Sequence, residues 1–375
     1  MSGGGSSVPA LQIFAGPRAR ARLAERGLRP EDVQVVPAAA GGPKGLILGP
    51  LDQFIFGDWL ARSQQPVHLM GASIGAWRMA TACVTRNAAE VKHEFDQLAH
   101  GYVHQSYADE PGAKKGKMPS AAWVSQGFAQ TLDQVFGGRE QLALSHPRFR
   151  LHVLASRGRK LLSREGRWRT PLGYTAAFAA NLISRPSLAA WLERVAFSDP
   201  RTPLPLPLDD FRSHAVELNQ ANFQASILAS CAIPFWLQAV HDIPGAPRGA
   251  YWDGGITDYH LHLNYAAMAA DEHSAGLVLY PHFQQQVVPG WLDKALKRRH
   301  AATPSLDNVV LLAPNPAWIA TLPNAKLPDR NDFQRYGDDM PARAKAWLRA
   351  IAESQRLADE FAQACEASSL RALQL

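Results

Sequence analysis

The strongest constraint in this chain is a pattern that occurs twice near its start. A short apolar run ends in a small-residue turn, and a stretch of helical periodicity follows. Residues 33–37 (VQVVP) are β-branched and apolar, which reads as a buried strand. The turn Ala38-Ala39-Ala40-Gly41-Gly42-Pro43-Lys44-Gly45 comes next. Over residues 46–63, Leu48, Leu51, Ile55 and Leu60 fall at helical spacing, and Pro50 sits early, where a helix tolerates it. Residues 67–70 form a second apolar run that leads into Gly71-Ala72-Ser73-Ile74-Gly75, and residues 76–98 are helical in composition. Strand, glycine turn and helix, repeated, predict an α/β chain with a mainly parallel central sheet and helices on its faces. Further strands are expected at 149–155, 249–253, 275–280 and 308–312. Helices are expected at 17–29, 223–231 and 342–365, the last with an apolar face. Residues 1–10 are Gly/Ser-rich and expected to be disordered, and residues 199–209 form a proline-rich loop.

Composition narrows the setting. With 375 residues, 46% of them hydrophobic, the chain can bury a large core without a disulfide or metal staple. Its cysteines, Cys83, Cys231 and Cys365, are odd in number and widely spaced, with no CxxC. That argues against a disulfide framework and a cysteine zinc site, and for a reducing compartment. No run of 18 apolar residues occurs, and the apolar stretch 8–15 has its positive charges after it, unlike a signal peptide. A cytoplasmic chain is expected. The formal charge of +6 favours anionic partners, with the densest basic runs at 18–22, 157–169 and 294–299. None is interleaved with aromatics as in a nucleic-acid-binding face, so no nucleic-acid partner is expected. A peripheral contact with an anionic membrane surface is the partner the charge suggests.

Three loops carry the residues that can do chemistry. Gly71-Ala72-Ser73-Ile74-Gly75 fits G-x-S-x-G, in which a serine on a tight strand-to-helix turn projects from the sheet edge. The following helix lends positive potential at its N-terminus. Gly41-Gly42-Pro43-Lys44-Gly45 can present backbone amides to an oxyanion or phosphate, although it is neither a P-loop nor a GxGxxG fingerprint. One helix and one strand separate it from Ser73, which places the two loops side by side at the sheet edge. Asp253-Gly254-Gly255 ends a strand with a carboxylate. Free aspartate, with a pKa of about 3.9, is a poor base unless its site assists it.

These loops, in this order, resemble the patatin-like phospholipases. Residues 40–45 are similar to that family's G-G-G-x-R-G loop, 71–75 to its serine elbow, and 253–255 to its D-G-[AG] motif. Ala229-Ser230-Cys231-Ala232-Ile233-Pro234 is similar to its A-S-x-A-x-P segment. The chain departs from the pattern at Lys44, where arginine is usual, and at residues 256–260, where the family commonly has Asn-Pro. The resemblance implies a three-layer α/β/α fold and hydrolysis of lipid acyl esters, with no metal or other cofactor. It implies Ser73 as nucleophile, Asp253 as its base, and the loop Gly41, Gly42, Pro43, Lys44, Gly45 as oxyanion hole. Gly71, Gly75, Gly254 and Gly255 would shape the two turns. On this reading residues 1–30 are a tail with a short basic segment, 31–265 the catalytic domain, and 266–375 a largely helical extension packed on it.

Other readings of the same residues stay open. A Ser-His-Asp hydrolase would draw its base from His241, His260, His262, His273 or His282, although its elbow usually comes later in the chain. An acyltransferase would use the same serine with another acceptor. A catalytically silent lipid-binding module would use the C-terminal helix and the basic runs. His260-Leu261-His262 is too close-set for a helical metal-binding pair.

Overall fold

A computed structural model describes residues 8–106, 110–111, 119–270 and 276–375. Most of the segment expected to be disordered, together with His273 and Ala275, lies outside the described residues. The strands are β1 (Leu11–Ala15), β2 (Val33–Ala38), β3 (Val67–Ala72), β4 (Phe149–Gly158), β5 (Leu192–Ser198) and β6 (Ser213–Glu217), then β7 (Val240–His241), β8 (Ala250–Trp252), β9 (Leu277–Pro281), β10 (Val309–Pro314) and β11 (Leu373–Gln374). They form one sheet in the order β11-β1-β10-β9-β2-β3-β4-β5-β6, with β8 paired to β4 and β7 to β8. The central run β10-β9-β2-β3-β4 is parallel, and antiparallel pairing enters at β1–β10 and β4–β5. This is the expected α/β architecture with a mainly parallel sheet.

Every residue of β3, β9 and β10 is buried. Side chains alternate between the two faces of a strand, so such runs require cover on both. The helix Ile74–Cys83 is buried along its whole length. Its Arg78 donates to Asp52 at 2.7 and 2.8 Å and ties it to the helix Gly49–Phe54. Among the described residues, no helix is long and apolar enough to cross a membrane.

The structure refines the expected elements. The single helix expected at 46–63 is a 3-10 turn (Gly42–Leu48), an α-turn, a π-turn (Ile55–Trp59) and a last 3-10 turn. The helix expected over 76–98 breaks after Cys83, and Asn87 caps a new one, Ala88–Val103, by accepting from the Glu90 amide. The helix at 342–365 divides at Ser354 into Met340–Glu353 and Gln355–Cys365. Strands β9 and β10, which the sequence places beyond residue 265, lie inside the sheet between β2 and β1.

One detail of register positions the site. β3 runs along one edge of β4 as far as the pair Ala72↔Leu154. β8 approaches on that same edge from the opposite direction and stops at Trp252↔Ser156, because the other edge of β4 holds β5. The two strands therefore meet end to end, one β4 residue apart, and the residues following them, Ser73 and Asp253, meet at Ala155.

Candidate active site

Ser73 occupies the turn between β3 and the helix Ile74–Cys83 with φ 56° and ψ −129°. A non-glycine residue held there costs about 1–3 kcal/mol and persists only where its surroundings over-determine it. They do so here. The Ser73 amide donates to Ser230 Oγ at 2.9 Å, and its carbonyl accepts from the Ala76 amide at 2.9 Å. The Ser230 hydroxyl in turn donates to the Leu154 carbonyl of β4 at 2.6 Å. Gly75 lets the helix start against β2: a Cβ there would stand 2.0 Å from the Ala38 carbonyl oxygen. The Cβ is fixed by its own backbone and the oxygen is backbone, so neither can rotate away. Gly75→Ala is expected to lower stability by about 3 kcal/mol or more, read as a fall in urea midpoint. An unchanged midpoint would show that the helix can shift without cost.

Asp253 is fixed by the same segment. Its amide donates to the Ala232 carbonyl at 2.9 Å, and the Gly254 amide donates to the Ser230 carbonyl at 3.0 Å. Ser156 Oγ donates to the Asp253 carbonyl at 2.9 Å. Gly254 is required because a Cβ would lie 2.0 Å from the Leu154 carbonyl oxygen. Asp253 Oδ1 accepts from the Gly255 amide at 2.7 Å, and Oδ2 accepts from the Ser73 hydroxyl at 2.7 Å. Ser230 thus anchors both turns, and residues 229–234 lock the pair together from behind. The sequence marks that segment by its spacing but not by its role.

Burial pushes the Asp253 pKa above the ordinary carboxylate value, the partial counterweights being the Ser73 hydroxyl, Arg330, the Gly255 amide and Lys294. A nearby thiol, Cys231, is a rival nucleophile by position. Burial and the Asp253 charge raise its pKa well above the usual thiol range, which holds it protonated and unreactive.

The pair lines a cavity of about 210 Å³, together with Gly41 and Gly42. Among the described residues, neither the Gly41 nor the Gly42 amide has a hydrogen-bond acceptor. The loop is held in place by Ala40, whose amide donates to the Tyr259 carbonyl at 2.9 Å. Pro43 is a correction to the expected donor set: it is buried and carries no amide hydrogen, so it cannot donate. Gly45 lies further along the 3-10 turn, against Ile74. Gly71 is the penultimate residue of β3. Gly255 opens the short helix Gly255–Asp258, whose Asp258 is buried in a pair with Arg194 at 2.6 Å.

A lysine and an arginine outside the sequence motifs, Lys294 and Arg330, join Lys44 in completing the wall. Lys44, Lys294 and Arg330 all line the cavity, with Ile233, Tyr259 and Trp291. The Lys294 ammonium sits 4.0 Å from the Tyr259 ring centroid, and that of Lys44 5.5 Å from Phe283. Burial, then Arg330 and Lys44, pull the Lys294 pKa down. The basic run 294–299 was visible in the sequence, but only the fold brings its first residue beside Asp253. Arg330, some 75 positions beyond Asp253, stands in no motif.

The histidines weighed as alternative bases are engaged elsewhere. His260 Nδ1 lies 3.1 Å from the Gln286 carbonyl, His262 is held between Val287 and Thr303, and His282 bonds to the Gln284 backbone. His241 is on β7. Among the described residues, none of them hydrogen-bonds Ser73. Nor does any group of three or more His, Cys, Asp or Glu side chains there have metal-holding geometry.

With this geometry in hand, comparison with known proteins adds little. No family model matches the chain, and no curated protein matches it. Among solved structures, VipD from Legionella pneumophila is similar to 96% of this chain and is covered over 72% of its own, at 13% identity and TM-score 0.37. The type III effector protein ExoU is similar to 93% of this chain and is covered over 59%, at 12% identity and TM-score 0.29. Likenesses of this degree carry no argument about activity.

Proposed function

We propose that this protein is a serine hydrolase of lipid acyl esters, with Ser73 as nucleophile and Asp253 as its base. The observation that carries the reading is a buried 2.7 Å hydrogen bond from the Ser73 hydroxyl to Asp253, in a cavity also lined by the unpaired amides of Gly41 and Gly42. Ser73 Oγ attacks the acyl carbonyl carbon while its proton passes to Asp253 Oδ2. The oxyanion that develops is stabilised by the Gly41 and Gly42 amides and by the N-terminus of the helix Ile74–Cys83. Collapse of the tetrahedral intermediate expels the alcohol, which takes the proton from Asp253. Water then attacks the acyl-serine with Asp253 again as base, releasing the acid.

The wall favours a particular kind of ester. Among the described residues, Lys44, Lys294 and Arg330 form no ion pair with a carboxylate. Two lysines and an arginine beside Ile233, Tyr259 and Trp291, outnumbering the carboxylates Asp253 and Asp329 of the same cavity, suit a substrate with an apolar acyl chain and a negatively charged head group.

Fluorophosphonate treatment followed by peptide mass mapping tests the reading. The adduct is expected on Ser73 and nowhere else. Modification of another serine, or of none, rejects it.

The pH dependence follows from the buried carboxylate. Asp253 must be ionised to accept the serine proton, and burial raises its pKa. Activity is therefore present above that pKa and lost as pH falls through it. The acid limb of kcat/KM is expected at a pH above the value of about 3.9 for free aspartate. A limb at or below that value would show that the carboxylate is solvated in the working enzyme.

A further inference from the structure

The helix Arg169–Ile183 breaks the usual rule for a surface helix. A helix packed on a globular protein turns its polar face outward, yet residues 170–184 contain no charged side chain. Trp168, Leu172, Thr175, Ala179 and Leu182 recur at helical spacing, and all are exposed. Trp168 is 72% exposed, Leu172 59% and Ile183 82%. The buried face does the work of holding the helix down: Tyr174 packs edge-on against Trp252, and Asn181 donates to Asp293 at 2.8 Å. The exposed apolar face is therefore surplus to folding.

The patch continues toward the cavity. Phe235, 59% exposed, meets Tyr174 edge-on at 5.9 Å, and Trp236 beside it is also exposed. Two residues earlier in the chain, Ile233 lines the cavity, as does Trp291, whose turn contacts the helix.

A basic cluster borders the patch at the start of the helix. Of the cations in residues 157–169, Arg157 and Arg159 pair with Glu193. Among the described residues, Lys160, Arg164, Arg167 and Arg169 pair with no carboxylate. Lys160 lies over the Trp191 ring and Arg167 over the Trp168 ring. Glu165 is the one acidic side chain in the run, and its carboxylate accepts from the Ala239 amide.

We propose that this face, centred on Trp168, Leu172 and Ile183 and bordered by Arg164, Arg167 and Arg169, docks on an anionic phospholipid bilayer. Apolar side chains of this size gain by entering the acyl boundary, and tryptophan suits the interface itself. The arginines lie where a flat bilayer places its negative head groups, and attraction to them depends on salt. Docking there turns the cavity flank bearing Ile233 and Phe235 toward the lipid. The proposal concerns binding and does not depend on the assignment of Ser73 and Asp253.

The test is vesicle co-sedimentation of the full chain carrying Ser73→Ala, so that no lipid is consumed. Vesicles are pure phosphatidylcholine or phosphatidylcholine with phosphatidylglycerol at 7:3. Binding is expected to the anionic vesicles, weakening as salt rises. The triple change Trp168→Ser, Leu172→Ser, Ile183→Ser is expected to weaken partition about tenfold or more, and Arg164→Glu with Arg167→Glu and Arg169→Glu equally so. Leu348→Ser, an exposed leucine on the helix Met340–Glu353, serves as control and is expected to change nothing. Melting curves check that each variant is folded. Failure of the parent to bind either vesicle, or equal binding by the triple variants, overturns the proposal. So does a concentration-dependent dimer that the serine triple abolishes, since the face would then be a protein interface. Turnover of a soluble short-chain ester by the serine-triple changes made in the Ser73 protein separates this from the hydrolase reading. Loss of vesicle binding with turnover kept isolates the surface, and turnover absent with vesicle binding intact rejects only the chemistry.

Discussion

Ser73→Ala is expected to remove ester hydrolysis almost completely, by at least about 10⁴-fold in kcat, while the protein remains folded. The magnitude follows from losing the proposed nucleophile, since deleting a serine nucleophile leaves just the rate supplied by binding and the oxyanion donors. The fold should survive because the strained backbone at residue 73 is held by main-chain contacts, to Ser230 and Ala76, that alanine retains. What is lost is the hydroxyl's bonding to Asp253 and to the Cys231 thiol. Stopped assays with a chromogenic short-chain ester, alongside thermal melts, check both halves. Activity within tenfold of the parent would mean that Ser73 is an ordinary turn residue.

Asp253→Asn is the sharper test, because it keeps the shape and removes the proposed base. The amide oxygen can still accept from the Gly255 amide, so the turn is expected to hold. What is lost is the ability to take a proton from Ser73, and kcat is expected to fall about 10⁴-fold with little change in KM. The variant should also lose fluorophosphonate labelling at Ser73, since the reagent reads nucleophilicity rather than turnover. Retained hydrolysis in Asp253→Asn, together with loss in a histidine variant such as His282→Ala, would transfer the role of base to an imidazole.

The site was legible in the sequence to an unequal degree. The glycine turns at 41–45, 71–75 and 253–255 are visible because backbone crowding admits no side chain at Gly75 or Gly254, and such positions leave a fixed spacing. The parallel strands β2, β3, β9 and β10 were also visible, since strands buried on both faces read as continuous apolar runs. Strands β5 and β6 were not. β5 mixes Glu193 and Arg194 into its apolar run, each buried with charged partners that only the folded chain supplies. β6 is half-exposed at the sheet edge. The long helix expected over 46–63 failed because a period of 3.6 residues does not reveal a local change to 3-10 or π turns. Lys294 and Arg330 reach the cavity through loops of irregular backbone, so no periodicity announced them.

The end-to-end meeting of β3 and β8 has a bearing on the life of the chain before it is complete. The serine and the carboxylate it bonds are 180 positions apart. A ribosome that has made β3 has already made the hydroxyl, yet Asp253 emerges only after β4 and residues 229–234 have been synthesised. β9 and β10, which separate β1 from β2 in the finished sheet, come later still. A nascent or truncated polypeptide therefore carries Ser73 without its carboxylate partner, and the bond between them closes only when the architecture is complete.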